Sequence, residues 1–471
     1  MSIGEKCEPD FYPGVWAADA SLPVGAPEAK SPPLEALYPE KDRYLTIAPE
    51  RYFDPGFMRR EWNAIWTRSW TCAGRVSDLR EVGSWFKYDL GHESFIVVRG
   101  ADRQIRAFYN VCQHRGRRLV SQDFGRSASF VCGFHSWVYG LDGTNRRVTD
   151  REFFKEAALC GDLGLKPARC ESWAGFVFVN MDPAAPPLLD YLAPMPDLLA
   201  MYRMENMHIV KDVTVAIDCN WKVACEAFLE PYHVHATHPA LLPAVDDLQN
   251  QYDFYPNGHG RIVTPLAVPS PRERDRNSVN PALAYMLREA GVDPDAFTGN
   301  AANVRNAIRK AKRDADNPFG LDYSEFSDAQ LTDDWNPSIF PNLAFNAFPE
   351  AVQVMRYLPH ATHAGKCHFS VWILVPPTKA GIRPPANFGV EEDVDVSGAA
   401  RPVRRYNDQL RPELGDVLAQ DISNMAVVQQ GLISRGMADG VRLSEQEQRV
   451  QQLHAEIDRR LALAEEGAGR P

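Results

Sequence analysis

The sequence predicts an α+β protein in two parts, an all-β module over roughly residues 70–182 and a larger domain of mixed strands and helices beyond it. Three observations carry this. Short runs rich in Val, Ile and aromatic residues, broken by turn residues, crowd the first region. After Pro186, strand-like and helix-like periodicities alternate. Near the C-terminus an apolar stripe of Val450, Leu453, Ile457 and Leu461 follows the capping box of Ser444 and Glu447, which reads as one packing helix.

Taken in order, residues 1–43 are proline-rich and aperiodic, which predicts an extended arm lying on the surface or across a neighbouring subunit. A helix is expected over 55–70, with Phe57, Trp62 and Trp66 apolar. It would lead into a β module spanning 44–184. Strands are expected at 94–100, 105–110, 129–134 and 175–181, with a hairpin at Asp142-Gly143 after Trp137-Val138-Tyr139. The second domain, 185–471, opens with a strand over 208–219 and a helix over 220–233. An antiparallel pair follows at 351–358 and 367–375. The stretch 240–340 reads as a loop-rich insertion with helices at 281–290 and 301–315, suited to a lid or pocket wall.

Composition narrows the function. The 471 residues are 45% hydrophobic and 24% charged, which suits two or three globular domains and excludes wholesale disorder. Acidic residues outnumber basic ones 62 to 51, a net charge of −11, so a nucleic-acid-coating surface is not expected. No apolar run reaches the length of a membrane span, and the N-terminus lacks the basic start and apolar core of a secretion signal. A cytoplasmic location is therefore expected. Nine cysteines in such a chain begin as small buried hydrophobes, and only metal-like spacing lifts one above that reading.

Four of the metal-binding candidates have that spacing. Cys112-x-His114 and Cys132-x2-His135 lie at strand ends beside Gly116 and Gly133. Two sulfurs and two imidazoles from two loops suit zinc or an iron–sulfur cluster. The Cys-x-His pair is tight for zinc, whereas two cysteines on one iron and two histidines on the other make a Rieske [2Fe-2S] centre. The motif resembles the Rieske signature, with Ser136 where that family commonly has glycine. Such a change is tolerated unless the loop needs φ > 0 there. Arg115, Arg117, Arg118 and Arg126 crowd these loops and could dock an acidic electron carrier.

A second group forms around Glu230-x2-His233-x4-His238. Glu226, Glu230 and His233 share a helical stripe, and Pro231 predicts a bend at the site. His238 must come from the turn before Pro239. Far along the chain, Leu414, Leu418, Asp421, Met425, Val428 and Leu432 form a seam in which Asp421 is the one polar member. A carboxylate there must find a cation, form a buried salt bridge or bind metal. Two histidines and a carboxylate are the facial triad of mononuclear non-haem iron(II) oxygenases.

Over roughly 44–440 the chain resembles the catalytic α subunits of Rieske non-haem iron oxygenases, through the Rieske motif, NWK…E…YH…H and the Asp-bearing C-terminal helix. The resemblance implies that Cys112, His114, Cys132 and His135 hold a [2Fe-2S] cluster and that His233, His238 and Asp421 hold Fe2+. It implies that Glu230 links His135 of one subunit to His233 of the next. It further implies a helix-grip catalytic domain, a homotrimer with or without a β subunit, and electrons from NAD(P)H through a flavin reductase, a ferredoxin or both. Most familiar relatives carry Asp where this chain has Glu230. Glu recurs in members that act on other substrates, including quaternary amines.

The expected activity is O2-dependent hydroxylation of an apolar, aromatic substrate, since Tyr252, Phe254, Trp335, Phe345 and Phe348 populate the region around the insertion. O- or N-dealkylation, quaternary amines included, is the alternative. A non-catalytic Rieske electron carrier and a zinc-stapled binding module are the weaker readings. His360, His363 and His368 form a rival cluster, but on a hairpin turn without a carboxylate. His235 points away from the Glu230–His233 stripe.

Overall fold

The computed structural model describes residues 31–378 and 382–468, so most of the proline-rich arm lies outside the described residues. The described end of the arm is not extended. Leu34–Leu37 makes a helical turn and Lys41–Leu45 a 3-10 turn. Leu34 and Tyr38 are buried, and the Tyr38 hydroxyl donates to Glu456 of the C-terminal helix at 2.9 Å. Apolar anchors have overridden proline-rich composition here.

The leading helix forms where the spacing places it, as Pro55–Glu61 continued by a π turn over Trp62–Trp66. The Asp54 carboxylate caps it, accepting from the backbone N–H of Gly56 and Phe57. Expected with the β module, it touches that module through Trp62, whose ring lies 4.2 Å from that of His92, and it packs against the second domain as well. Trp66 meets Trp221 edge-on at 5.0 Å, and Glu61 pairs with Lys222 at 2.8 Å with both side chains almost wholly buried. Periodicity defined its apolar face but not the partner of that face.

The β module is a seven-stranded sheet in the order Thr71–Arg75, Phe176–Asn180, Pro167–Trp173, Ile105–Tyr109, Glu93–Arg99, Ser84–Leu90, Phe124–Arg126. A three-stranded sheet, Phe130–Val131, Val138–Tyr139 and Asn145–Arg147, adds to it. Between them lies a small core of Trp85, Ile96, Val98, Phe108 and Trp137. The hairpin at Asp142-Gly143 is present, with Gly143 at φ 80°.

The second domain is built on an eight-stranded sheet. Its order is Gln251–Phe254, Gly260–Thr264, Asp334–Ile339, Leu343–Ala347, Val352–Pro359, Cys367–Val375, His208–Ile217, Arg405–Asp408. All neighbours are antiparallel except the last pair. Three of these strands fall within the stretch expected to be a loop-rich insertion. Their sequences, QYDF, GRIVT and DWNPSI, are short, charged and in one case proline-bearing. Their strand character comes from pairing with neighbours rather than from local propensity. Between them, helices Pro281–Glu289 and Ala301–Arg313 share a separate core of Leu283, Leu287, Val304 and Ile308.

Helices Trp221–Glu226, Asp416–Leu432 and Gln448–Ala468 cover the sheet. Their apolar residues merge with Met355, Tyr357, Phe369 and Val371 into one core. The seam of the Asp416–Leu432 helix drifts, as 3.6 residues per turn requires over this length. Leu418, Asp421, Met425 and Leu432 are buried, but Val428 is 49% exposed and Gln429 is buried in its place. Among the described residues, no helix is long and apolar enough to cross a membrane.

Two candidate metal centres

The first centre sits on two loops of the β module with matching backbone geometry. In one, the Cys112 N–H donates to the Arg117 carbonyl (2.9 Å) and the Gly116 N–H returns to the Cys112 carbonyl (3.0 Å). In the other, the Cys132 N–H donates to the Trp137 carbonyl (2.8 Å) and the Ser136 N–H to the Cys132 carbonyl (2.9 Å). Gly116 and Ser136 are therefore equivalent positions, four residues past each cysteine. Both have positive φ, 75° and 56°. The loop does need the left-handed conformation at Ser136, a strain of about 1 kcal/mol for a residue with a Cβ. Ser136 is held there partly by its carbonyl, which accepts from the Thr149 hydroxyl at 3.1 Å.

Cys112 and Cys132 are buried, and the rings of His114 and His135 lie 4.5 Å apart. Both Nδ1 atoms are buried without a protein partner, as expected of ligand nitrogens aimed at an absent group. Trp137 stacks on His114 at 5.0 Å and 7°. A single tetrahedral ion would need all four donor atoms within about 4 Å of one another. Among the described residues, His233, His238 and Asp421 bring their donor atoms within 4.8 Å of one another, and this quartet is not gathered so closely. The wider donor set fits a binuclear cluster and does not fit zinc.

Two sulfur contacts tune this centre. The Tyr139 hydroxyl lies 3.3 Å from Cys112 Sγ and accepts the Gln113 N–H at 2.9 Å. Burial would raise the Cys132 thiol, yet the backbone N–H groups of Phe134 and His135 and the Arg117 charge hold it below its ordinary value. Hydrogen bonds to ligand sulfur raise a cluster's potential. Arg115, Arg117, Arg118 and Arg126 are all exposed around the loops, with Arg115 over the exposed Phe134 ring at 5.2 Å.

The second centre forms where the expected 220–233 helix fails. That helix, capped by the Asn220 side chain on the Lys222 N–H, stops at Glu226. Pro231 follows, and a one-turn helix, Val234–Thr237, begins after His233 and ends before His238. The two histidines thus bracket a single turn, their rings 5.3 Å apart. Asp421 reaches them from the Asp416–Leu432 helix. Its Oδ1 lies 2.8 Å from His238 Nε2 and 3.5 Å from His233 Nε2. His238 and Asp421 are each 3% exposed and His233 25%, so the group opens on the His233 side.

Each imidazole is oriented from behind. Glu230 accepts from His233 Nδ1 at 2.7 Å and from the His233 backbone N–H at 3.0 Å. The Gln420 side-chain amide oxygen Oε1 accepts from His238 Nδ1 at 2.7 Å, so both histidines present Nε2 to Asp421. Gln420 was not singled out from the sequence. As a glutamine beside a buried Asp on a helix it reads as an ordinary flank, and only its i−1 relation to Asp421 hinted at the site. Glu226 leaves the expected stripe. It accepts from the Tyr52 hydroxyl (3.0 Å) and contacts His454 Nε2 (2.9 Å), and burial pushes it up to about 8.

Burial alone would lower the His233 pKa, but hydrogen bonds to Asp421 and Glu230 outweigh it and push it up to about 10. The metal-free site therefore holds a proton on His233 at neutral pH, and metal must displace it. Uptake of Fe2+ at pH 8 is expected to release about one proton per site, with affinity falling roughly tenfold per pH unit below 10. A pH-stat titration with no proton release would contradict this protonation state.

The rival residues do not converge on an ion. The rings of His363 and His368 lie 6.4 and 6.1 Å from that of His360, whose Nδ1 already accepts from the backbone N–H of Thr362 and His363. His235 Nδ1 turns to the Tyr232 carbonyl, 2.8 Å away.

A cavity of about 310 Å³ has Ala240 and Leu241 in its wall, which follow His238 and Pro239 in the chain, while His233, His238 and Asp421 themselves do not line it. Leu241, Leu266, Met286, Ile308, Phe348 and Phe388 are among the residues that make its walls largely apolar. The helices of the expected lid, Pro281–Glu289 and Ala301–Arg313, form one side of it.

Comparison with known proteins agrees with this geometry. Residues 204–463 match the family model for the ring hydroxylating alpha subunit (catalytic domain), and residues 69–155 match that for the Rieske [2Fe-2S] domain. The glycine betaine monooxygenase oxygenase subunit of Chromohalobacter salexigens is 34% identical over 202 residues, 43% of this chain and 45% of that protein. The large oxygenase component of the naphthalene 1,2-dioxygenase system of Pseudomonas putida is also 34% identical, over 200 residues, 40% of this chain and 43% of that protein. The aligned segment thus spans about half the length of these curated relatives. The crystal structure of naphthalene 1,2-dioxygenase from Rhodococcus sp. bound to indole superposes with a TM-score of 0.63. It covers 91% of this chain and 97% of that one at 18% identity, a shared fold.

Proposed function

Because this chain belongs to the ring-hydroxylating oxygenase alpha subunits and carries a Rieske domain, we propose that it is a terminal oxygenase acting on an apolar substrate of one or two rings. The carrying observation is the largely apolar cavity lined in part by Ala240 and Leu241, on the turn that follows His238 in the chain. The two similar relatives act, by their names, on a quaternary amine and on an aromatic hydrocarbon, and they are equally identical to this chain. Identity therefore does not choose between these substrate classes, and cavity chemistry must. A quaternary ammonium needs an uncompensated carboxylate or an aromatic cage. Of the two carboxylates that line this cavity, the buried Glu350 is already paired with Lys312 at 2.8 Å and Glu289 is only half-buried, and most of the wall is aliphatic or phenyl.

Iron held by His233, His238 and Asp421 would supply O2 activation, and a cluster held by Cys112, His114, Cys132 and His135 would supply electrons. The residues of this chain do the rest. Gln420 and Glu230 fix both ring tautomers, so that Nε2 faces the metal position. The buried Nδ1 of His135 faces the cluster position, which leaves its Nε2 outward for a neighbouring Glu230 in a homotrimer. The exposed arginines around the cluster loops suit an acidic ferredoxin or the reductase itself, fed by NAD(P)H.

Incubation of the reconstituted protein with aromatic hydrocarbons and with betaine, followed by product mass, tests the proposal. Addition of one or two oxygen atoms to a ring compound is expected. Loss of a methyl group from betaine, with no ring product, would overturn it in favour of N-dealkylation, the second reading that the betaine relative favours.

A further inference from the structure

The wall of that largely apolar cavity holds one buried ion pair. Glu350 and Lys312 both line it and are paired at 2.8 Å, their side chains 2% and 11% exposed. Lys312 Nζ also donates to the Leu331 carbonyl at 2.8 Å, and the Tyr323 hydroxyl donates to Glu350 Oε1 at 2.7 Å. Every contact to the carboxylate thus falls on Oε1, and among the described residues no hydrogen bond reaches Oε2. A buried ion pair in a cavity wall is a poor source of stability, and Oε2 is not fully sealed off, so it is open to a ligand in the cavity. The surrounding surface is mostly apolar, with Ile308, Phe319, Phe348 and Phe388, and its donors Tyr285, Thr332 and Asn387 make no hydrogen bond to Oε2.

We propose that Glu350 is a specificity residue. Its Oε2 accepts a hydrogen bond from one neutral N–H or O–H carried by an otherwise apolar substrate. Lys312 cancels the charge, so the group recognised is neutral and not a cation. Lys312 and Tyr323 are positioning residues, since they fix the carboxylate through Oε1 and leave the other oxygen for the ligand. Substrates of the implied class are hydroxy- or amino-substituted ring compounds and N–H heteroaromatics. The proposal rests on the reading of this cavity as the substrate site.

The test is equilibrium binding of two probes of nearly equal shape, naphthalene and 2-naphthol, to the iron-loaded protein at neutral pH. Wild type is expected to bind 2-naphthol about 10- to 100-fold more tightly, the worth of one hydrogen bond to a charged acceptor. In a Lys312→Leu/Glu350→Leu double variant, which removes the pair without stranding a charge, that preference is expected to vanish while naphthalene binding persists. The milder Glu350→Gln variant keeps an acceptor oxygen and is expected to lose part of the preference. Equal binding of the two probes by wild type, or a preference that survives in the double variant, overturns the role of Glu350 but leaves the cavity as substrate site. Binding of neither probe overturns both.

Discussion

Glu230→Ala is expected to leave both metal centres filled and to stop turnover. The side chain is not a ligand, since it accepts from Nδ1 of His233 at 2.7 Å, opposite the nitrogen that faces Asp421. Its 11% exposure leaves an edge that a second subunit can reach. If it joins His135 of one subunit to His233 of another, electrons cross through an imidazole–carboxylate–imidazole chain, and alanine cuts the middle member. Loss of an outer-shell partner of this kind costs about 10–100-fold even where it merely orients a ligand. Oxidation of the reduced cluster in a single turnover is expected to slow by at least that factor, with iron content unchanged. Normal single-turnover oxidation in this variant would remove Glu230 from the electron route.

Asp421→Ala is expected to act in the opposite manner, emptying one centre and sparing the other. Its carboxylate is the single anionic donor between two imidazoles, and without it a neutral pair remains, too weak to retain a divalent ion during purification. Iron should fall from about three to about two atoms per chain, with the colour and reduced-state EPR signal of the cluster intact. The metal-free fold should also weaken by about 1–3 kcal/mol, because the buried polar contact between Asp421 and His238 Nε2 at 2.8 Å is lost. Full iron content with this substitution would mean that the triad is wrongly composed.

Both centres were legible in the sequence for a physical reason. Cys112, His114, Cys132 and His135 are rare residue types at tight spacing, and Asp421 is a carboxylate in an otherwise apolar seam. Each is anomalous where it stands. Gln420 is not anomalous, and neither is the turn of Glu226 toward Tyr52 and His454, because both depend on elements far away in the chain. The same limit explains the three sheet strands within 240–340 and the leading helix, which packs on both parts of the chain. Those elements gain their identity from partners, and the sequence pattern reports faces rather than pairings. At Ser136 the hydrogen-bond symmetry with Gly116 exposes a backbone requirement that residue type alone concealed.

The helix Asp416–Leu432 carries two adjacent residues that would serve the same ion by different means, Asp421 as donor and Gln420 through its side-chain bond to His238. A rigid shift of that helix cannot loosen the carboxylate without also releasing the imidazole. Alterations elsewhere on this helix, at the exposed Val427 or Val428, would therefore be felt by two of the three expected donors at once. The grip on the ion then behaves as a latch with a shared pin, and distant packing governs whether it holds.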